Sequence, residues 1–154
     1  MILEHYSQTP LLSLHDASQP EGPSHKPIGL WVSLPGGDDW PTWCREQEFN
    51  LEGLACVTRF RLAPGANVRH LKSCLDIDLF HAEYYAGGPR RWDGGIDWGR
   101  VAARYDGIII APYQWGRRLD GDAHSWYYGW DCASDCIWNA RALQMLSATR
   151  EVVR

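Results

Sequence analysis

The chain has 154 residues, 45% hydrophobic and 22% charged, a composition that excludes a disordered protein and suits one domain covering residues 1–154. Acidic side chains outnumber Lys and Arg by 19 to 15 and no basic stripe is visible, which argues against a non-specific nucleic-acid binder. No apolar run approaches the roughly 18 residues of a membrane span, and the N-terminus lacks the basic and apolar regions of a secretory signal, so the sequence predicts a cytoplasmic protein.

Cysteine and tryptophan are the residue types whose use is most informative. The five cysteines are an odd number in a chain without a signal peptide, which favours reduced thiols over a disulfide framework. Four zinc ligands are offered by His70, Cys74, Cys132 and Cys136, but structural zinc more often uses two cysteines separated by two residues, so we expect no metal. The nine Trp and seven Tyr residues can fill a core or stack on nucleobases, nicotinamide or sugars.

Hydrophobic periodicity in the first half of the chain predicts strands, a helical turn and one helix. The strands are expected at Ile2–Ser7, 28–33, 57–62 and Val68–Leu71. A helical turn is expected at 10–14, followed by a loop at 16–27 that carries three prolines. Asp39 is the expected N-cap of a helix that places Trp40, Trp43 and Cys44 on one face.

The second half of the chain is expected to contain three helices and two or three short strands. The helices follow Asp76, Asp97 and Asn139, the last of them running through Leu143 and Leu146. One strand is expected at 108–110, and 125–138 is expected to form either two short strands or one strand with a bend. The irregular order of strands and helices predicts an α+β fold, and the lack of a Gly-rich phosphate loop argues against a Rossmann or P-loop enzyme.

Three short segments combine residue types that suit a nucleotide site. The first is LEHYS at 3–7, in which a His is followed by an aromatic ring and a hydroxyl group in the first strand. The second is GLWVS at 29–33, whose Trp and Ser point to the same side because strand side chains alternate. The third is DCIWN at 135–139, in which an acid begins a late apolar strand.

In order and spacing, these segments resemble the three motifs of the ADP-ribosyltransferase superfamily, specifically its His–Tyr–Glu branch, which includes poly-ADP-ribose polymerases and diphtheria-type toxins. The chain departs from the family pattern by having Tyr6 in place of a glycine, Trp31 in place of a tyrosine and Asp135 in place of the glutamate. The resemblance implies split mixed β-sheets flanked by short helices. It also implies a minimal catalytic domain, as in toxin-like bacterial or phage effectors.

The resemblance implies a role for each matching residue. His5 is expected to act in catalysis and to bond a ribose hydroxyl of the adenosine half of NAD⁺, while Ser7 holds the nicotinamide side and Trp31 stacks on the nicotinamide ring. The expected NAD-binding residues are His5, Tyr6, Ser7, Leu30, Trp31 and Ser33. The catalytic acid is either Asp135 or Asp131, and the choice stays open because Asp is one methylene shorter than the family's Glu.

The function implied is that of an NAD-dependent mono-ADP-ribosyltransferase. Such an enzyme uses NAD as a substrate, cleaves its nicotinamide–ribose bond and transfers ADP-ribose to a macromolecular acceptor. Its cationic transition state needs positioning and electrostatic support. The acidic balance favours a protein acceptor over nucleic acid, and neither a membrane nor a metal is expected as a partner. Two alternatives stay open: an NAD glycohydrolase, or a non-catalytic module that binds NAD, ADP-ribose or carbohydrate.

Overall fold

The computed structural model describes residues 1–87, 94–120 and 124–150, and they form an α+β fold. The strands are β1 (Ile2–Ser7), β2 (Leu30–Val32), β3 (Cys56–Leu62), β4 (Val68–Leu71), β5 (Tyr85–Ala86), β6 (Gly95–Ile96), β7 (Gly107–Ile110), β8 (Ser134–Ile137) and β9 (Leu143–Arg150). The helices are α1 (Trp40–Glu46), α2 (Cys74–Tyr84), α3 (Trp98–Ala102) and α4 (Trp115–Arg118). Within these ranges, no helix has the length and apolar character needed to cross a membrane.

Two sheets build the frame of the fold. Strands β1, β3 and β9 form an antiparallel sheet in the order β1-β3-β9. The second sheet has the order β2-β8-β7-β4, in which β4 and β7 are parallel and the other neighbours antiparallel. The edge strands β1 and β2 share one isolated antiparallel bridge, between Glu4 and Ser33. This bridge is where the two sheets meet.

The four-stranded sheet has a hydrophobic core on each face. Neighbouring residues of β8 show this, because Cys136 packs in one core and Ile137 in the other. The first core is aromatic, and its largest buried side chains are Trp98, Trp126, Trp130, Tyr84, Tyr127 and Phe80. The second core lies between the two sheets and contains Leu3, Val32, Phe60, Ile137, Ala142 and Leu143.

Buried tryptophans in the aromatic core keep hydrogen bonds for their indole N–H groups. The indole of Trp98 donates to the carbonyl of Ser24 at 3.0 Å, and that of Trp138 donates to the carbonyl of Tyr105 at 2.7 Å. Burying an indole without such a partner would cost free energy, because the N–H would lose its bond to water. The core therefore fixes the positions of loop residues as well as of helices.

The N-terminal caps predicted from the sequence are confirmed for two helices. The side chain of Asp39 accepts a hydrogen bond from the backbone N–H of Thr42, and that of Asp97 accepts one from Arg100. Helix α2 begins at Cys74, earlier than expected, because the Ser73 hydroxyl caps it by accepting from the N–H of Asp76. Asp76 thus lies in the first turn, where a carboxylate is favourable.

The helix predicted from Asn139 through Leu146 is wrong. After one 3₁₀ turn at Ala140–Ala142, the chain forms strand β9. The pairing of β9 with β3 extends from Leu143 opposite Leu62 to Arg150 opposite Cys56. Strand β1 covers one edge of β3 only, so β9 supplies partners for the backbone groups of the other edge. This tertiary demand outweighs a local apolar spacing that also fits a helix.

Three further predictions are wrong in part, each for a local reason. The segment 10–14 is not helical: Leu12 is 91% exposed and Leu11 and Leu14 are only partly buried against the second core, so packing gives a helix this short little support. Strand β2 starts at Leu30 because the Gln19 side chain bonds both backbone groups of Ile28, at 2.7 and 3.0 Å. The region 125–138 contains one strand, β8, preceded by a 3₁₀ turn that buries adjacent aromatic rings.

Asp135 is a fully buried acid in the middle of the four-stranded sheet. It lies on β8 opposite Val32 of β2 and Ile109 of β7, and its exposed fraction is 0%. Neither carboxyl oxygen has a hydrogen-bond partner of good geometry. Burial raises the pKa of Asp135 well above its usual range, and the backbone amide of Ile110 offsets this only in part.

We expect Asp135→Asn to stabilise the protein at neutral pH. The raised pKa means that the folded state keeps a proton that the unfolded chain has released, so the wild-type free energy of unfolding falls as pH rises above about 4. The amide of the variant does not titrate. Its gain should be about 1–3 kcal/mol at pH 7 and should shrink as pH falls towards 4. Urea unfolding at several pH values measures this, with the exposed Asp38→Asn as the control; a gain that grows at low pH would contradict it.

Candidate functional site

The candidate site is an open cleft where β1 and β2 separate. The two strands pair at Glu4 and Ser33, through backbone hydrogen bonds of 2.9 and 2.8 Å, and the pairing stops there. The cleft has a volume of about 340 Å³. It is lined by Glu4, His5, Tyr6, Lys26, Trp31, Val32, Ser33, Trp40, Asn50, Trp130, Asp131, Cys132 and Ser134. Five of the residues predicted for the site are therefore in one cavity.

The imidazole of His5 fills the gap where the strands part. If the pairing continued, the next bonded pair after Glu4 and Ser33 would be Tyr6 and Trp31. Instead, Nδ1 of His5 lies 2.8 Å from the carbonyl oxygen of Trp31. The His5 side chain thus donates to a backbone carbonyl that would have accepted from the neighbouring strand if the pairing had continued. His5 therefore shapes the cleft as well as lining it.

This hydrogen bond determines which nitrogen of His5 is available for chemistry. A carbonyl oxygen can only accept, so Nδ1 of His5 must carry the hydrogen. The lone pair of the neutral ring is then on Nε2, which can accept a hydrogen bond from a hydroxyl group. Asp and backbone carbonyl partners fix histidine tautomers in this way in many enzyme sites.

Trp31 forms the aromatic wall of the cleft. Its ring packs edge-on against Trp130, with centroids 5.0 Å apart and an interplanar angle of 61°. Trp130 belongs to the buried aromatic core, so the core supports the wall from behind. The ammonium group of Lys26 lies 5.3 Å from the Trp31 centroid, a cation–π distance. The wall is therefore a flat aromatic face with a positive charge over it.

Glu4 supplies negative charge to the cleft, a role that the sequence motifs do not predict. Its carboxylate accepts hydrogen bonds from the Tyr6 hydroxyl at 2.6 Å and from Nε of Arg59 at 2.8 Å. The side chain of Glu4 is only 12% exposed. Arg59 lies directly opposite Glu4 in the β1–β3 register, so the one sequence signal was a pair of opposite charges on two predicted strands.

The two candidate acids lie in different environments. Asp131 lines the cleft, and its Oδ1 lies 3.2 Å from Nη2 of Arg118 in an ion pair whose side chains are 31% and 20% exposed. Asp135 is buried in the sheet and is not among the lining residues. Only Asp131 is therefore placed to meet a ligand in the cleft.

The remaining predicted residues divide between the cleft and its surroundings. Ser33 lines the cleft but is 2% exposed, and its Oγ accepts a hydrogen bond from the backbone N–H of Trp40 at 3.0 Å. Ser7 donates its hydroxyl to the carbonyl of Thr9 at 2.7 Å and does not line the cleft. Leu30 packs against the second core. Ser33 thus holds the start of helix α1 in place.

The four residues considered as zinc ligands are not gathered into one site. Among the residues that the structure describes, no group of three or more His, Cys, Asp or Glu side chains is placed to hold a metal ion. Cys132 lines the cleft and its Sγ lies 3.1 Å from the Oγ of Ser134. Burial raises the pKa of the Cys132 thiol to about 11, so this sulfur is protonated at neutral pH.

We expect the neutral imidazole of His5 to be the tautomer with hydrogen on Nδ1. A two-dimensional NMR experiment that correlates ring nitrogens with ring carbon-bound protons distinguishes the tautomers. The signals of His5 are assigned by comparison with His5→Gln, and His15, whose Nε2 lies 2.8 Å from the Ser13 hydroxyl oxygen, serves as the internal reference. An Nε2-protonated ring at position 5 would show that the bond to Trp31 is not formed.

Comparisons with known proteins add no relative to this picture. No protein-family model, curated protein or solved structure matches the chain.

Proposed function

We propose that this protein binds NAD⁺ in the His5–Trp31 cleft and transfers its ADP-ribose to a macromolecular acceptor. The observation that carries the proposal is convergence: His5, Trp31 and Asp131 come from three distant parts of the chain and line one open cavity. Catalytic and binding sites combine a concave surface, aromatic walls and a few polar groups in this manner.

The size and polarity of the cleft suit one half of a dinucleotide. Small-molecule sites are roughly 300–1,000 Å³, and the cleft, at about 340 Å³, is at the lower end. In the proposed complex, the nicotinamide riboside half lies inside the cleft with its ring against Trp31, and the adenosine half lies along the open rim. The exposed Lys26 ammonium then moves from the Trp31 ring to the diphosphate, because it would repel the nicotinamide cation and attract phosphate.

The reaction needs support for positive charge and little covalent help. As the bond between the ribose C1′ and the nicotinamide nitrogen breaks, its electron pair moves to nicotinamide, and positive charge appears on the ribose. The carboxylate of Asp131 stabilises that charge. A nucleophilic atom of the acceptor bonds to C1′ and releases its proton to solvent water, while Nε2 of His5 holds a ribose hydroxyl group. With water as acceptor, the same steps give NAD glycohydrolysis.

A second candidate is a module that binds NAD⁺ or ADP-ribose without breaking it. The observation that favours it is that both acids of the cleft already have cationic partners: Asp131 pairs with Arg118, and Glu4 pairs with Arg59. A paired carboxylate stabilises a developing cation less than a free one, because its charge is partly balanced. The two candidates share the binding step and differ in whether nicotinamide is released.

Release of nicotinamide from NAD⁺ tests the proposal directly. We expect release by the wild-type protein, loss of about 100-fold in Asp131→Asn and at least about tenfold in His5→Ala. His15→Ala is the matched control, since its exposed ring does not line the cleft and hydrogen-bonds the nearby Ser13 hydroxyl. Thermal melts of all variants establish that they are folded.

Calorimetric titration with NAD⁺ and ADP-ribose separates the candidates. Binding of NAD⁺ would support the non-catalytic module if no nicotinamide is released, either alone or in the presence of a basic protein, an acidic protein or a nucleic acid as acceptor. Trp31→Ala should weaken binding, whereas Trp31→Phe should retain most of it because a flat ring remains. Unchanged release in His5→Ala and Asp131→Asn would overturn the enzymatic proposal.

A further inference from the structure

A second cavity adjoins the cleft and lies between helices α1 and α4. This groove has a volume of about 280 Å³. Helix α1 contributes Thr42, Trp43 and Glu46 to it, and helix α4 contributes Trp115 and Arg118. Asp131 and Cys132 line both the groove and the cleft. The two cavities therefore meet at the acid proposed to act in catalysis.

The groove has an indole on each side. Trp43 of α1 stacks on Trp40 with a centroid distance of 5.3 Å and an interplanar angle of 15°, and Trp40 itself lines the cleft. Trp115 of α4 packs edge-on against the buried Tyr113 at 4.7 Å, yet remains 57% exposed. Each indole is held by a neighbouring ring while part of its own surface faces solvent. Such surfaces suit a flat or long aliphatic group.

The charges that line the groove are unbalanced. Three carboxylates are present, those of Asp38, Glu46 and Asp131, against the single guanidinium of Arg118. Arg118 is already paired with Asp131. Asp38 and Glu46 are exposed and form no ion pair with the part of the chain that the structure describes. The groove thus attracts cations and repels phosphate groups.

We propose that this groove binds an arginine side chain of a basic polypeptide. A guanidinium group is planar, stacks on indole faces and pairs with carboxylates, so one residue type satisfies both features of the groove. A nucleic acid satisfies the aromatic surfaces but brings its phosphates against Asp38 and Glu46. The identification of this polypeptide as the ADP-ribose acceptor rests on the proposed function. The binding of an arginine side chain to the groove does not depend on that function.

Peptide binding in the absence of NAD⁺ tests the groove alone. The probe is a short, fluorescein-labelled, arginine-rich peptide, followed by fluorescence anisotropy at low salt. The matched probe has citrulline at each arginine position, which keeps the shape and removes the charge. A single-stranded oligonucleotide with the same label tests the competing ligand class. We expect the arginine peptide to bind and the other two probes to bind at least about tenfold more weakly.

Two variants connect the binding to the groove. Glu46→Lys reverses a charge at the end of helix α1, where a cation is favourable for the helix, and should weaken arginine-peptide binding by about tenfold. Trp115→Ala should also weaken it, because one aromatic surface is lost. The matched control is Glu21→Lys, which makes the same charge change at an exposed residue that lines neither cavity.

Equal binding of the arginine and citrulline peptides would overturn the inference. So would equal effects of Glu46→Lys and Glu21→Lys, or stronger binding of the oligonucleotide. None of these results depends on nicotinamide release. The arginine-binding inference can therefore fail while the proposed enzymatic activity stands. Conversely, arginine-peptide binding that depends on Glu46 without any nicotinamide release would overturn the proposed activity and leave the groove as a binding site.

Discussion

The arrangement of the site depends on the point where β1 and β2 stop pairing. One isolated bridge, between Glu4 and Ser33, joins the edge strands of the two sheets, and beyond it these strands separate. A gap between strands exposes backbone groups that need partners, and the ring of His5 provides one for the carbonyl of Trp31. The cavity exists because the strands separate. Its base is polar because the His5 imidazole lies in the gap and bonds the exposed carbonyl of Trp31.

The aromatic core extends this arrangement from the interior to the surface. Trp130 is 1% exposed and packs against Trp98 and Trp126, whereas the Trp31 ring that it supports faces the cleft. Close-packed interiors resist small displacements, so the orientation of Trp31 is set by the core. A tryptophan-rich composition thus has two uses in this fold: it fills the space behind the sheet and it makes the wall of the cavity firm.

Local signals in the sequence were sufficient for some parts of the fold and insufficient for others. Strand β1 and the caps at Asp39 and Asp97 were predictable, because alternation and capping depend on a few neighbouring residues. Strand β9 was not, because its conformation is decided by the open edge of β3, more than 80 positions away. The same limit applies to the site. The order of the motifs predicts that His5 and Trp31 share a site. The pairing of Glu4 with Arg59 depends on strand register, and the choice between Asp131 and Asp135 depends on burial, so both require the structure.

Ser33 joins two parts of the molecule that otherwise have separate functions. Its backbone makes the bridge to Glu4, and its hydroxyl accepts from the first N–H of helix α1, at Trp40. The stacked Trp40 and Trp43 are the partition between the cleft and the groove. The residue that joins the edge strands of the two sheets therefore also anchors the helix whose indoles separate the two cavities. The position of this shared wall is thus set by a single small side chain at the seam between the sheets.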